Sequence, residues 1–504
     1  MAEPSPSRSL DLFIIGGGVN GVGIARDAVG RGLSVALAEK DDLASATSSA
    51  SSKLVHGGLR YLEQYAFRLV REGLAEREVL MRIAPHLVHP LRFVMPHQAR
   101  LRPAWMIRAG LFLYDRLGGK SATLPGTRGL DLTRDPMGTG LRQEFRKGFA
   151  YSDCRVDDAR LVVVNARDAA DRGALILTRT RCTPARREGG LWHVTAQDKA
   201  TGAERRFTAR ILVNAGGPWA GDVALRIAAV KPRQHLRLVK GSHVVVPPLY
   251  DGDHAFLLQN DDGRIVFVIP YEGRFSLVGT TDVALGALPD KAAISPEEVI
   301  YLQRAVAQYF QRSFAPADVL WSYAGIRPLY DDGAANPSAV TRDYVLELDD
   351  GAAEAPLLSV FGGKITTYRK LAEHALEKLA PFIPGLRPTW TAEGKLPGSD
   401  IGPAGPGEYA ARLAAQHPAL PATLIRDLVR RHGATAVEVL GDAKKPGDLG
   451  EDFGGGLSER EVRHFIRREW ARTAEDILWR RSKVGLHLPP GGEAKLARFL
   501  AVVA

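Results

Sequence analysis

Residues 10–40 read LDLFIIGGGVNGVGIARDAVGRGLSVALAEK. Leu10 to Ile15 is a short apolar run, and Gly16-Gly17-Gly18-Val19-Asn20-Gly21 follows at once. Val22 to Val29 has the pattern of a helix, and Leu33 to Ala38 is a second apolar run. The order predicts one strand–helix–strand unit of about 30 residues. Gly16-x-Gly18-x-x-Gly21 falls on the turn from strand to helix. Glycine there permits a tight turn and lets a pyrophosphate approach the backbone. The free N–H groups of the helix N-terminus then meet the phosphates. Glu39 closes the second strand, 18 residues after Gly21, where its carboxylate can accept from ribose hydroxyls. Strand, helix and terminal acid together turn a weak motif into a dinucleotide-binding prediction.

Two further glycine turns lie far along the chain. One is Ile211-Leu212-Val213-Asn214-Ala215-Gly216-Gly217, and the other is Phe361-Gly362-Gly363-Lys364. Taken singly, each reads as an ordinary turn. Their spread suits a long, extended dinucleotide, so FAD is preferred to NAD.

The 504 residues predict about three domains or two large ones. Apolar residues make up 45% and charged residues 25%, which excludes a disordered or low-complexity chain. Lys and Arg number 67 against 57 Asp and Glu, a formal charge of +10 that suits an anionic partner. The two cysteines, Cys154 and Cys182, exclude a disulfide framework and a cysteine-rich zinc site, and no metal site is expected. They fit a reducing compartment. No run of about 18 apolar residues predicts a transmembrane helix. The start, Met1-Ala2-Glu3-Pro4-Ser5-Pro6, lacks the features of a secretory signal.

Along the middle of the chain, 191–196, 205–213, 243–246, 265–269 and 275–278 read as strands. A mostly parallel nucleotide-binding sheet with an inserted, more antiparallel layer fits this order. Ser295-Pro296-Glu297-Glu298 is a capping-box helix start, with the helix expected to reach Phe314. Prolines and glycines cluster over 385–407, which reads as a linker. Beyond it 408–440 and 458–483 read as helical, the second opening on the capping box Ser458-Glu459-Arg460-Glu461. The expected division is 10–390 and 391–504.

At this point longer motifs identify a resemblance. Residues 47–63, TSSASSKLVHGGLRYLE, closely resemble the FAD-dependent, respiratory glycerol-3-phosphate dehydrogenases. So do YSDCRVDDAR at 151–160, KGSH at 240–243, GTTD at 279–282, GIRPL at 325–329, FGGKITTY at 361–368 and DILWRRSK at 476–483. The resemblance covers nearly the whole chain. It implies an α/β fold like that of D-amino-acid and glycine oxidases. A Rossmann-like FAD-binding domain is interleaved with a mixed-sheet substrate-binding domain, and an all-helical C-terminal domain follows. It further implies oxidation of sn-glycerol 3-phosphate to dihydroxyacetone phosphate, with electrons passed to a membrane quinone. An oxidase of the same fold, using oxygen, is the alternative.

The resemblance places the substrate at Arg60, Tyr61, Arg327 and Lys364. Guanidinium groups suit a phosphate because they offer paired donors. Arg327 also stands in an apolar segment, Ala324 to Leu329, where a charge needs a specific partner. Arg327, Lys364 and His243 are the candidate catalytic residues, and His243 suits a base near neutrality, although a strand histidine is more often structural. The cofactor set comprises Gly16, Gly17, Gly18, Asn20, Gly21, Glu39, Lys40, Thr47, Ser48, Ser52, Gly58, Leu59, Ala215, Gly216, Gly362, Gly363 and Thr366.

Residues 53–120 hold 12 Lys and Arg against five Asp and Glu, most of the excess charge. Within them, 103–117 is apolar and aromatic, with Trp105, Phe112, Leu113 and Tyr114 flanked by Arg100, Arg102, Arg108 and Arg116. This suits a helix lying in an anionic membrane interface, and equally a buried helix with snorkelling arginines. The expected location is the inner face of the cytoplasmic membrane, bound peripherally. No nucleic-acid motif is present, and a homodimer contact through the C-terminal domain is an open expectation.

Overall fold

The computed structural model describes residues 9–98, 102–119, 121, 123–234, 236–330, 343–351 and 354–503, apart from the side chains of Arg60 and Gln64. Leu10–Ile15 and Val35–Ala38 pair in parallel, with Val19–Gly30 as the crossover helix. Their inner residues are almost wholly buried, as expected for central parallel strands with both faces covered. Glu204–Asn214 and Leu357–Gly362 extend the parallel sheet on one side and Leu175–Leu177 on the other. Tyr344–Asp349 closes one edge antiparallel.

A second, ten-stranded sheet roofs the first. Its strands Leu236–Val246, Phe275–Gly279, Ile265–Tyr271 and Ala255–Gln259 form an antiparallel run. Ala255–Gln259 pairs in parallel with Val88–His97, which pairs antiparallel with Lys147–Val156. Trp321–Tyr330 lies antiparallel along Leu236–Val246. The chain passes between the two sheets several times, so segments far apart in sequence meet at their junction.

The helix opening at Ser295 has both halves of its capping box, but it ends at Tyr309 rather than Phe314. Phe310 turns out of the helix to form a bridge with Leu141, and its ring packs edge-on to Phe256. Tertiary pairing thus overrides the helical pattern. The strand at 243–246 is longer than its apolar run and starts at Leu236.

The C-terminal region is mostly helical and is divided more finely than its periodicity suggests. Gly405–Gln416, Ala422–His432 and Ala436–Leu440 replace one long element. Pro418 and the positive φ of Gly433 explain the breaks. Glu459–Glu469 ends where Trp470 turns left-handed, and a π-helical turn follows at Asp476–Arg481. The region is not all-helical, because Asp452–Gly454 and Leu457–Ser458 form a small hairpin.

That π-helical turn docks on the first sheet through buried charge. Arg481 donates twice to Asp42, at 2.6 and 2.8 Å, and Arg480 Nε donates to the same carboxylate at 2.6 Å. Arg480 and Arg179 both reach Asp476, and Arg160 pairs with Glu469. Trp479 stacks on Trp321 of the roofing sheet at 4.3 Å. The C-terminal region therefore grips both layers. No described helix is long and apolar enough to cross a membrane.

Candidate active site

Gly16 has φ +115°, and a Cβ there would lie 2.4 Å from the Ala215 carbonyl oxygen. A Cβ on Gly21 would lie 1.9 Å from the Gly16 carbonyl oxygen. Only glycine lets strand, turn and helix come this close. Gly18 caps the helix without a side-chain bond, and its first turn carries no acid. The positive end of the helix is thus left for an external anion.

Glu39 stands beside this turn. Its carboxylate accepts from Gly17 N at 2.7 Å and Asp41 N at 2.9 Å, which leaves two of its four lone-pair positions for ribose hydroxyls. Burial raises its pKa. Lys40 Nζ lies 4.1 Å above the Trp219 ring. Ser48 Oγ accepts from Val19 N, and Thr47 Oγ1 donates to Ile326 O, fastening the serine-rich loop between the two sheets.

These elements border a cleft of about 220 Å³. Gly18, Asn20, Thr47, Ser48, Ser52, Ala215, Gly362, Gly363, His243, Arg327 and Lys364 all line it. Gly216 lies just behind, against Gly16. Asn20 Nδ2 donates to Gly362 O, but its buried Oδ1 has no partner among the described residues. A buried amide oxygen without a partner marks a place for a ligand donor. The bare helix end, the glycine cradle and this orphan acceptor fit a dinucleotide.

A second cavity, about 150 Å³, adjoins the cleft and shares Ser52 and Arg327 with it. Gly58, Leu59 and Tyr61 line this second cavity, so Gly58 and Leu59 sit here rather than along the cofactor cleft. Thr366 lines neither; it is buried and its Oγ1 accepts from His56 N. Arg60 lies on the turn Leu59–Gln64, and its side chain falls outside the described residues.

Arg327 stands at the junction of the two cavities. It pairs with Asp282, and its Nη2 donates to Thr280 Oγ1 at 2.9 Å and Thr281 O at 3.1 Å. Asp282 and Thr280 thus hold the guanidinium in place, with its side chain 18% exposed. Lys364 reaches back from the Gly362-Gly363 turn, its Nζ 3.9 Å above the Tyr61 ring. Aromatic contact and a fixed fork leave two cations facing one space.

His243 is buried and stacked on Tyr323 at 4.9 Å. Its Nε2 lies 2.9 Å from Ser52 Oγ, while Nδ1 has no partner among the described residues. Burial, with Lys53 and Arg327 adding nearby positive charge, holds the imidazole well below the ordinary histidine range. It is therefore neutral, and the same surroundings disfavour its protonated form. Asp282 and Thr280 received no separate role in the sequence reading. Their signal was the string Gly279-Thr280-Thr281-Asp282, which only gains meaning when the sheet register brings it to Arg327. Both cysteines are buried and free, and burial pushes their thiols up, so neither is a nucleophile.

A parallel sheet carrying a glycine cradle and Lys364, roofed by a sheet that supplies His243 and Arg327, is the arrangement of a dinucleotide-dependent oxidoreductase. The family described as FAD dependent oxidoreductase matches residues 11–369, and the C-terminal domain of alpha-glycerophosphate oxidase matches 389–504. The chain belongs to the FAD-dependent oxidoreductases, and FAD is its cofactor. A D-erythritol 1-phosphate dehydrogenase of Brucella abortus is 53% identical over 99% of this chain and 98% of its own. A glycerol-3-phosphate dehydrogenase of Pseudomonas aeruginosa is 54% identical over 97% of this chain and 94% of its own. The glycerol-3-phosphate dehydrogenase of Bacillus halodurans complexed with FAD superposes with a TM-score of 0.76, at 28% identity, over 98% of this chain and 91% of that one.

Proposed function

We propose that this flavoenzyme oxidises sn-glycerol 3-phosphate to dihydroxyacetone phosphate and passes the electrons to a membrane quinone. The observation that carries the reading is Arg327, fixed by Asp282 and Thr280 where the cofactor cleft meets the second cavity. A phosphorylated polyol needs a held cation at that junction, and relatives at half identity or more are named for such substrates.

Arg327 and Lys364 bind the phosphate, with Arg60 assigned to the same task by resemblance. His243 takes the proton of the C2 hydroxyl, its own orientation set by Ser52 and the Tyr323 ring. Gly16 to Gly21 and Glu39 would hold FAD along the cradle, and the bound flavin would supply the hydride-accepting chemistry.

The helix Ala104–Leu117 supports peripheral attachment to the inner face of the cytoplasmic membrane. Only Leu111 and Tyr114 of it are buried. Trp105 is 70% and Phe112 57% exposed, with Met106 and Leu113 also outward. Arg102 and Arg116 flank this face, Arg116 lying over the Phe112 ring, while Arg100 is outside the described residues. Apolar anchors ringed by cations suit an anionic lipid surface.

An anaerobic flavin titration tests the reading. Glycerol 3-phosphate should bleach the yellow protein, glycerol should not, and a quinone should restore the colour. Bleaching by D-erythritol 1-phosphate alone would move the substrate to the longer polyol. Rapid reoxidation by oxygen with peroxide release would replace the dehydrogenase by an oxidase.

A further inference from the structure

Asp153 is a buried carboxylate on the wall of the second cavity. It lies on the strand Lys147–Val156 and holds three separate parts of the chain. Arg77 Nη1, from the helix Phe67–Ile83, donates to its Oδ1 at 2.9 Å. The Tyr114 hydroxyl, from the helix Ala104–Leu117, lies 2.9 Å from each of its oxygens. Gly57 N donates to Oδ1 at 3.4 Å. Burial pushes the carboxyl up to about 6, while Arg77 and the Tyr114 hydroxyl pull it back, so the group is anionic at neutral pH. Hydrogen bonds to a charged acceptor are stronger than neutral ones, which makes this carboxylate a firm point of attachment.

Of the three attachments, Gly57 is the one that leads to the substrate. A Cβ on Gly57 would lie 2.7 Å from the Tyr114 hydroxyl oxygen, so the chain is seated directly against a group that Asp153 binds. Gly58 follows with φ +76°, and Tyr61 N donates to Gly58 O at 2.8 Å. The Tyr61 ring folds back over Gly58, where any Cβ would collide with it. Lys364 Nζ rests 3.9 Å above the same ring. The stretch from Gly57 to Tyr61 thus joins the buried carboxylate to a cation of the site, and Arg60 stands on the same turn.

We propose that Asp153 is a positioning residue for phosphate recognition: it fixes the turn from Gly57 to Tyr61 and, through the Tyr61 ring, the ammonium group of Lys364. The proposal rests on the reading of Lys364 as a phosphate ligand. Asp153 acts through the turn and not on the phosphate, which it would repel. Its own charge is matched by Arg77, so a carboxylate is tolerable on the wall of a cavity that takes an anion.

The test uses the FAD-loaded protein and two ligands, glycerol 3-phosphate and inorganic phosphate. Asp153→Asn keeps the shape of the side chain and removes its charge. Tyr114→Phe removes one donor, leaves the pair of Asp153 with Arg77 intact, and serves if the first variant does not fold. In Asp153→Asn the KM for glycerol 3-phosphate should rise about 10-fold, with a much smaller change in kcat and flavin content unchanged. Calorimetry should show the affinity for inorganic phosphate falling by the same factor. Tyr114→Phe should move both values the same way by about 3-fold. Wild-type phosphate affinity in Asp153→Asn would overturn the proposal, as would wild-type affinity in Tyr114→Phe where Asp153→Asn does not fold. A fall in kcat or in bound flavin at unchanged phosphate affinity would also overturn it, making Asp153 a brace of the core. A protein that does not bleach with glycerol 3-phosphate, yet loses phosphate affinity in these variants, would leave Asp153 in its role and remove the substrate instead.

Discussion

The cofactor cleft and the adjoining cavity are made of different material. The cleft is shaped by backbone: a left-handed Gly16, two glycine contacts too tight for any Cβ, and a bare helix end. The cavity is shaped by side chains from distant strands, with Arg327 held by Asp282 and Lys364 resting on Tyr61. A backbone site has no graded response to substitution, because an added methyl group must move a strand. A side-chain site can lose one partner and keep its form. Binding of the cofactor and handling of the substrate should therefore fail in different ways.

Gly21→Val tests the backbone half and should have the largest effect. Its side chain would enter the Gly16 carbonyl, so the protein should purify without flavin and fail to take up added FAD. Normal flavin content would break the comparison. Arg327→Ala tests the side-chain half. Flavin should stay bound while kcat/KM for glycerol 3-phosphate falls about 100- to 1000-fold, since the half-buried cation proposed to hold the phosphate is removed. Asp282→Asn keeps the cation and loosens its hold, so KM should rise by about 10-fold with a smaller change in kcat. An equal loss in both variants would mean that Asp282 does more than position the guanidinium.

The smallest expected effect is on stability. Burial lowers His86 to about 3 and His89 and His464 to about 4. Their ordinary value is about 6.5, so the unfolded chain takes up protons between these limits that the native state refuses. Stability is then full above pH 6.5 and is lost as pH falls toward 4. Thermal melts across pH 7 to 4 should show Tm declining by several degrees, and a flat Tm would remove these buried histidines from the account.

The same contrast explains what could be read in advance. The glycine cradle is a local requirement, spaced within six residues, and it appears in the structure as read. Arg327 was legible as a charge in an apolar segment, but its partners lie 45 and 47 residues away. They meet only through the strand pairing that sets Val239 against Arg327. Gly58 and Leu59, assigned to the cofactor, line the second cavity that adjoins the cleft. The helix expected to reach Phe314 stops early for a similar reason, since its last residues pair with Leu141. The helix Ala104–Leu117 left two readings open by pattern alone, and its burial favours the outward one.

One consequence concerns the order in which the chain is made. Asp42 stands three residues beyond Glu39, and its carboxylate is satisfied by Arg480 and Arg481, 438 and 439 positions further on. Until those arginines leave the ribosome, this aspartate has no counter-charge and cannot be buried without heavy cost. The first strand and glycine turn to be synthesised therefore wait for nearly the last residues before their pocket can close. A chain ending before Arg480 would leave Asp42 without these partners beside the cofactor cleft, so bound flavin would report that synthesis had passed Arg481.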